Sequence, residues 1–338
     1  MFSKEELDCF RNHLHEINDS NSFPEECEFQ LFLDKSLSTL ENESPSYRPV
    51  GSDCKPGGLL DFSSEKIPSI IVPDIHARAD FLLKLLDFKI EDESVLSLLN
   101  KKKIFVICVG DAFHSEMRGY ERWIAAYKDW SMDVYAGQPM QEEMKENIST
   151  LMIIMELKNN FTENFHFLKG NHENIFNESC HGNLAFRKFV QEGSMCCDFI
   201  RQVYGDVILH LISLWEKALP VCALFYDFAV SHAEPACCFS RKQIVDYHKN
   251  DDVVLGLTWT ANDAAEKGSV KKLFKNLNPS AKRSGVLWFG GHRPVKDGKY
   301  LLRQDGTYLQ LHNPNEMNVA IVVPEKKFNP EIDIKSVL

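Results

Sequence analysis

The chain has 338 residues, of which 44% are apolar and 26% charged, and it carries a net charge of −11. That length and composition suit one large or two modest globular domains with a sizeable core, and they exclude wholesale disorder. The acidic balance disfavours non-specific binding to phosphate backbones, although bound metal ions would reverse the local sign.

Residues 1–66 read as an N-terminal helical extension and connector. Lys4–Ile17 and Glu25–Leu40 carry helical patterns, the second with Phe29, Leu31, Phe32, Leu37 and Leu40 as its apolar residues. Residues 44–66, rich in Ser, Pro, Gly and Asp, read as irregular. Residues 67–326 are expected to form the domain itself, capped by the first section, with a tail over 327–338. Ser69–Val72 and Lys103–Val109 are short β-branched runs, expected as buried strands, with a helix over Phe81–Phe88 between them. Glu121–Tyr135 and Glu142–Asn160 are amphipathic helices by spacing. Further strands are expected at Asn164–Leu168, Phe225–Val230, Gly285–Phe289 and Val319–Val323, with mostly helix over 183–219. Tyr300–Leu311 contains Asp305-Gly306 and predicts a hairpin. Strands alternating with helices give an α/β architecture, two sheets with helices outside.

The ten cysteines form no CxxC, so a thiolate zinc site is not expected. The polar start of the sequence has no signal-peptide core, and no apolar run reaches membrane-spanning length. Together these predict a cytoplasmic protein with reduced thiols and no membrane partner.

The polar residues just beyond the strands are the informative feature. Pro73-Asp74-Ile75-His76, Gly110-Asp111, Gly170-Asn171-His172-Glu173, Ser231-His232-Ala233-Glu234 and Gly290-Gly291-His292 each stand at the end of an apolar run. Ligands of open α/β sheets bind beyond the carboxyl ends of strands. Asp74, His76, Asp111, Asn171, His232 and His292 form an oxygen–nitrogen donor set that suits Mn²⁺, Fe, Zn²⁺ or Mg²⁺ and not a soft thiolate metal. Two such ions, roughly 3.5–4 Å apart, would share a carboxylate and a water, lower the pKa of that water and grip a phosphoryl group. Hydroxide would then attack phosphorus in line.

In their order, PDIH, VGD, GNHE, SHAE and GGHRPV resemble the motifs of the calcineurin-like metallophosphoesterases. GNHE and DxH bring the chain nearest to the serine/threonine phosphoprotein phosphatase branch and its bacterial relatives, the diadenosine tetraphosphatases among them. The likeness spans about residues 68–323. It implies a four-layer αββα sandwich of two mixed sheets, with two divalent ions, Mn²⁺ foremost, as cofactors. Asp74 and His76 would hold the first ion, Asp111 would bridge, and Asn171, His232 and His292 would complete the second. His172 matches the family's general acid. A phosphorylated small molecule or protein, or a nucleoside polyphosphate, would be the substrate.

The chain departs from that branch where its second motif continues as GDxxDRG. His114 stands for the Asp that orients the acid, and Ser115 for the phosphate-binding Arg. His114 thereby joins Asp111 and His172 among the candidate catalytic residues. Glu116 or Glu173 are candidates for the orienting carboxylate, and Arg118, Arg283 and Arg293 for the phosphate clamp. His13, His15, His166, His181, His210 and His248 read as ordinary surface or core histidines, and His312 mainly as a structural one. The missing Asp and Arg leave a second reading open, a relative that binds metal or a partner without turnover. A nuclease is disfavoured, since no basic stripe accompanies the motifs.

Overall fold

The computed structural model describes every residue except 21 and 282–284. Among these, eleven α-helices occur in chain order: α1 (Lys4–Asp19), α2 (Glu26–Glu41), α3 (Ala79–Asp87), α4 (Val95–Asn100), α5 (Tyr120–Trp130), α6 (Gln138–Asn160), α7 (Glu192–Ala218), α8 (Arg241–Val245), α9 (Asp251–Thr258), α10 (Ser269–Leu277) and α11 (Pro330–Asp333). The strands are β1 (Leu59–Phe62), β2 (Ser69–Val72), β3 (Lys89–Ile90), β4 (Glu93–Ser94), β5 (Phe105–Cys108), β6 (Phe165–Phe167), β7 (Cys222–Phe225), β8 (Ala229–Ser231), β9 (Trp288–Gly290), β10 (Leu301–Arg303), β11 (Tyr308–Gln310), β12 (Asn318–Val322) and β13 (Ile334–Ser336).

Period-two alternation explains the layering. In β2, Ile70 and Val72 face the helices while Ile71 faces the other sheet; in β5, Val106 and Cys108 pair with the first face and Phe105 and Ile107 with the second. Both faces are apolar, so each of these strands must be covered twice. One mixed sheet has the order β13-β12-β2-β5-β6 and the other β1-β7-β8-β9-β11-β10. Leu60, Ile71, Ile107, Val230, Phe289 and Leu309 fill the space between them. Helices α1 to α7 cover the outside of the first sheet, and α8, α9 and α10 contribute to the core outside the second. The result is the αββα sandwich. No described helix is long and apolar enough to cross a membrane.

The first two helices are fastened to the body. Ser3 and Glu6 close a capping box on α1. Phe10 packs edge-on to Phe161, and Phe29 packs on Tyr204. Beyond α2, the Arg48 guanidinium pairs with Glu43 with both side chains fully buried, and Lys158 on α6 meets the same carboxylate.

Several elements differ from the sequence reading. The stretch 44–66 holds β1, which pairs in parallel with β7. The run 225–230 is not one strand: Tyr226, Asp227 and Phe228 turn the chain between antiparallel β7 and β8. Helix over 183–219 begins only at Glu192, whose carboxylate accepts the N–H groups of Lys188, Phe189 and Val190 and so anchors the preceding loop. The tail carries β13, antiparallel to β12.

Candidate metal centre

The residues after β2, β5, β6, β8 and β9 converge on one edge of the sandwich. The loops that carry them are sewn together by backbone. His76 and Ala77 donate N–H to the carbonyls of Asp111 and Ala112 at 2.7 and 2.9 Å, and Gly291 donates to His232 at 2.8 Å. Tight approach forbids side chains at two points: a Cβ on Gly170 would meet Asp111 Oδ1 at 2.2 Å, and one on Gly291 would meet Asp74 Oδ1 at 2.1 Å. His76, Ala77, Asp111, His114, Glu116 and His292 all take positive φ, between 48° and 82°. Such strain persists only where the surroundings hold it, and it gathers at functional sites.

Each aspartate has one oxygen fixed and one left for the centre. Asp111 Oδ1 accepts the His172 N–H at 2.9 Å, and Asp74 Oδ1 accepts the His292 N–H at 3.1 Å. Asp74 Oδ2 is buried with no hydrogen-bond partner. Asp111 Oδ2 lies 3.5 Å from His76 Nε2 and 3.5 Å from His232 Nε2.

The histidine tautomers are set by their outer contacts. His76 Nδ1 is 3.2 Å from the Phe113 carbonyl, and His232 Nδ1 is 3.1 Å from that of Val109. A carbonyl only accepts, so both Nδ1 atoms carry hydrogen and both Nε2 atoms turn lone pairs inward. His232 Nε2 faces Asn171 at 2.8 Å from Oδ1, and His292 Nδ1 faces the same oxygen at 2.9 Å. Burial pushes His76 and His232 well below the ordinary imidazole range, and it takes His292 to about 3. At pH 7 these rings are neutral, and each keeps a lone pair that an ion could use. Burial also raises Asp111 and Asp74, with Glu173 and Asp74 adding to the effect at Asp111. Acceptors that face acceptors in a dry site lack only a cation, so the residues fit divalent metal ions. Among the described residues, three sets of donors have atoms within 4.8 Å of one another: Asp74, Asp111 and His232; His76, Asp111 and His172; and Asp74, His76 and His312.

The profile of calcineurin-like phosphoesterases matches residues 67–322. The chain belongs to that family. This phosphoesterase has no match among curated proteins. Among solved structures, a serine/threonine phosphatase from Saccharomyces cerevisiae similar to human phosphatase PP5 is 14% identical, covers 98% of this chain and 94% of its own, and superposes with a TM-score of 0.56. A cold-active protein-tyrosine phosphatase from a Shewanella species is 13% identical over 82% of this chain and 80% of its own, with a TM-score of 0.47. At these identities the first likeness bears on the fold: the phosphoesterase has the family's two-sheet sandwich.

The remaining site residues surround these ligands. His172 is the residue after Asn171; its ring is perpendicular to that of His76 at 5.1 Å and rests on Phe186 at 4.5 Å. Its Nε2 is 3.9 Å from Asp111 Oδ2, and its Nδ1 is buried without a hydrogen-bond partner. His114 is fully buried, stacked on Trp123 at 5.0 Å. Its Nδ1 accepts the Glu116 N–H, and its Nε2 stands 3.7 Å from Glu192. Ser115 donates its hydroxyl and its N–H to Glu143 on α6, and Arg122 also binds that carboxylate. Glu173 is occupied by backbone N–H groups. Glu116 instead meets His76, Arg78, Lys188 and His312. Arg118 pairs with Glu146 and donates to the Ala77 carbonyl. Arg293 is exposed beside His292. Arg283 lies outside the described residues.

His312, read from sequence as structural, sits inside the centre. A signal for it existed: Leu309, Gln310 and Leu311 form one more buried run, and a histidine comes after it as after the other strands.

Proposed function

We propose that this centre is a binuclear metal site that hydrolyses a phosphomonoester or a phosphoanhydride. The observation that carries the reading is Asp111 Oδ2, at 3.5 Å from each of two inward-facing imidazole nitrogens, those of His76 and His232. Asp74 and His76 are assigned to one ion, Asn171, His232 and His292 to the other, and Asp111 to both. Bound there, two divalent ions would lower the pKa of a water and polarise phosphoryl oxygens. Mn²⁺ heads the compatible ions, with Fe, Zn²⁺ and Mg²⁺ also suited to the donors.

The chain's own residues supply the rest. Outer contacts to Phe113 and Val109 carbonyls hold the ligand rings in one tautomer. Burial keeps water away from the donors. His172, beside Asp111 and pressed on Phe186, is assigned to protonate the leaving oxygen through Nε2. Burial and its histidine neighbours hold His172 well below the ordinary imidazole range. An anionic substrate placed against it would favour the protonated form again. Glu116 stands 3.6 Å from His76 Nε2 and is paired with Lys188 at 2.8 Å.

Metal-stripped protein reloaded with Mn²⁺, Fe²⁺, Zn²⁺ or Mg²⁺ tests the reading, with p-nitrophenyl phosphate, a phosphopeptide, a dinucleoside polyphosphate and DNA as substrates. Metal-dependent turnover of a phosphoester or anhydride is expected. Silence with every metal and substrate would favour a binding relative, and cleavage of DNA alone a nuclease.

A further inference from the structure

Beyond the five strand ends that carry the expected ligands, a sixth opens on the same edge. β11 runs parallel to β9, so its carboxyl end points the same way. The Leu311 N–H bonds to the Gly290 carbonyl at 2.9 Å, and the His312 carbonyl accepts from Val295 at 2.7 Å. His312 is therefore tied on both sides to the loop that bears His292, and it is 1% exposed.

Its two ring nitrogens face different things. Nδ1 is 3.6 Å from Asp74 Oδ2, the oxygen that has no hydrogen-bond partner. The His312 ring lies 5.3 Å from that of His76, and one donor atom each from Asp74, His76 and His312 falls within 4.8 Å of the other two. Three donors so spaced could hold one cation. Nε2 is 3.3 Å from Glu116 Oε2. Neither of these two atoms has a hydrogen-bond partner, and they stand at ion-pair distance; a carboxylate so placed favours hydrogen on that ring nitrogen and leaves the other free to ligate, as behind metal-bound histidines. Glu116 is itself buried and held by Lys188 at 2.8 Å, so it cannot swing away freely.

We propose that His312, through Nδ1, is a fourth protein ligand of the ion assigned to Asp74, His76 and Asp111, with Glu116 as its positioning carboxylate. The proposal rests on the two-ion reading above. It makes the two positions alike in donor chemistry. Asp74, Asp111, His76 and His312 give the first ion two oxygens and two imidazoles; Asp111, Asn171, His232 and His292 give the second the same. Imidazole-rich sites favour Fe²⁺ and Zn²⁺ over Mg²⁺, which takes oxygen donors and keeps its waters. His312 thus becomes a residue that sets which metal the first position accepts. The competing role is a buried counter-charge between Asp74 and Glu116.

The test is metal binding, read without substrate. Mn²⁺ is titrated into metal-free wild type, His312→Ala and Glu116→Gln by calorimetry, with electron paramagnetic resonance at each step. Wild type should take two ions and show a spin-coupled pair. His312→Ala should keep one ion at wild-type affinity, bind the other at least about tenfold more weakly, and show an uncoupled signal at intermediate loading. Glu116→Gln should weaken the same ion by about tenfold. Two ions bound by folded His312→Ala at wild-type affinity, with the coupled spectrum, would overturn the proposal and leave the counter-charge. Wild type that binds no pair would overturn the two-ion reading as well. A measurement on wild type alone covers a variant that fails to fold. Pulsed resonance with ¹⁵N-labelled histidine should count imidazoles from His76, His232, His292 and His312, whereas a count that lacks one of the four overturns the assignment.

Discussion

The Glu173 carboxylate accepts the backbone N–H of Asp111 at 2.9 Å, and it also takes those of Ala112 and Gly170 at 2.8 and 2.6 Å. One side chain from the loop after β6 thus sets the position of the aspartate on the loop after β5. Glu173→Gln keeps the volume but turns one acceptor oxygen into a donor that faces N–H groups. Bonds of this charged type are worth about 1.5–3 kcal/mol each, so a loss of about that size is expected in urea unfolding. Metal affinity or activity should fall about 10–100-fold, as for other supports of a ligand. Unchanged stability and metal affinity would show that the clamp is dispensable.

The Glu43 cluster behind α2 makes a separate prediction. Burial pushes Glu43 up, but the charges of Lys158 and Arg48 outweigh it and hold the carboxylate well below the ordinary range. Glu43→Ala leaves Arg48 and Lys158 buried without their partner and should cost about 3–5 kcal/mol. A loss below about 1 kcal/mol in urea unfolding would contradict the claim that this ion cluster fastens the segment.

The same cluster contains a pH signature. Burial and the Lys158 charge push His166 down to about 4. Unfolding returns it to about 6.5. Between those values the unfolded chain binds the extra proton, so stability rises with pH and falls as pH drops from about 6.5 towards 4, by ~3 kcal/mol from this residue. Above about 6.5 its contribution is constant. Urea unfolding between pH 7 and 4.5 should show a shallower slope in His166→Gln than in wild type. Equal slopes would count against the buried neutral histidine.

His172 can be read through the leaving group. With an alkyl phosphate, whose leaving oxygen needs a proton, His172→Ala should slow turnover about 10²–10⁴-fold. With p-nitrophenyl phosphate, whose leaving group is a weak base, the loss should be far smaller. Equal slowing of both would remove His172 from the role of acid.

The parts of the centre legible in sequence were those with a local cause. Ser69-Ile70-Ile71-Val72 is β-branched and apolar on both sides, so its identity as a buried strand and the polar group at its end could both be read. The same holds for the runs before Asp111 and Asn171. The turn at Tyr226–Phe228 was hidden because its aromatic residues continue the apolar run of β7. The placement of His312 beside Asp74 was not legible because β11 was read only as half of a hairpin with β10; its parallel pairing with β9, which brings its end to the same edge, is a long-range fact. The fate of Ser115 was equally illegible, since Glu143 and Asn147 reach the 114–115 backbone from α6, 28 and 33 residues further along.

The central claim is a pair of ions flanking Asp111. Anomalous diffraction from crystals soaked in Mn²⁺ tests it most directly. Two peaks about 3.5–4 Å apart are expected, one beside Asp74 and His76 and the other beside Asn171, His232 and His292, with Asp111 Oδ2 between them. A single peak, or peaks remote from Asp111, would contradict it.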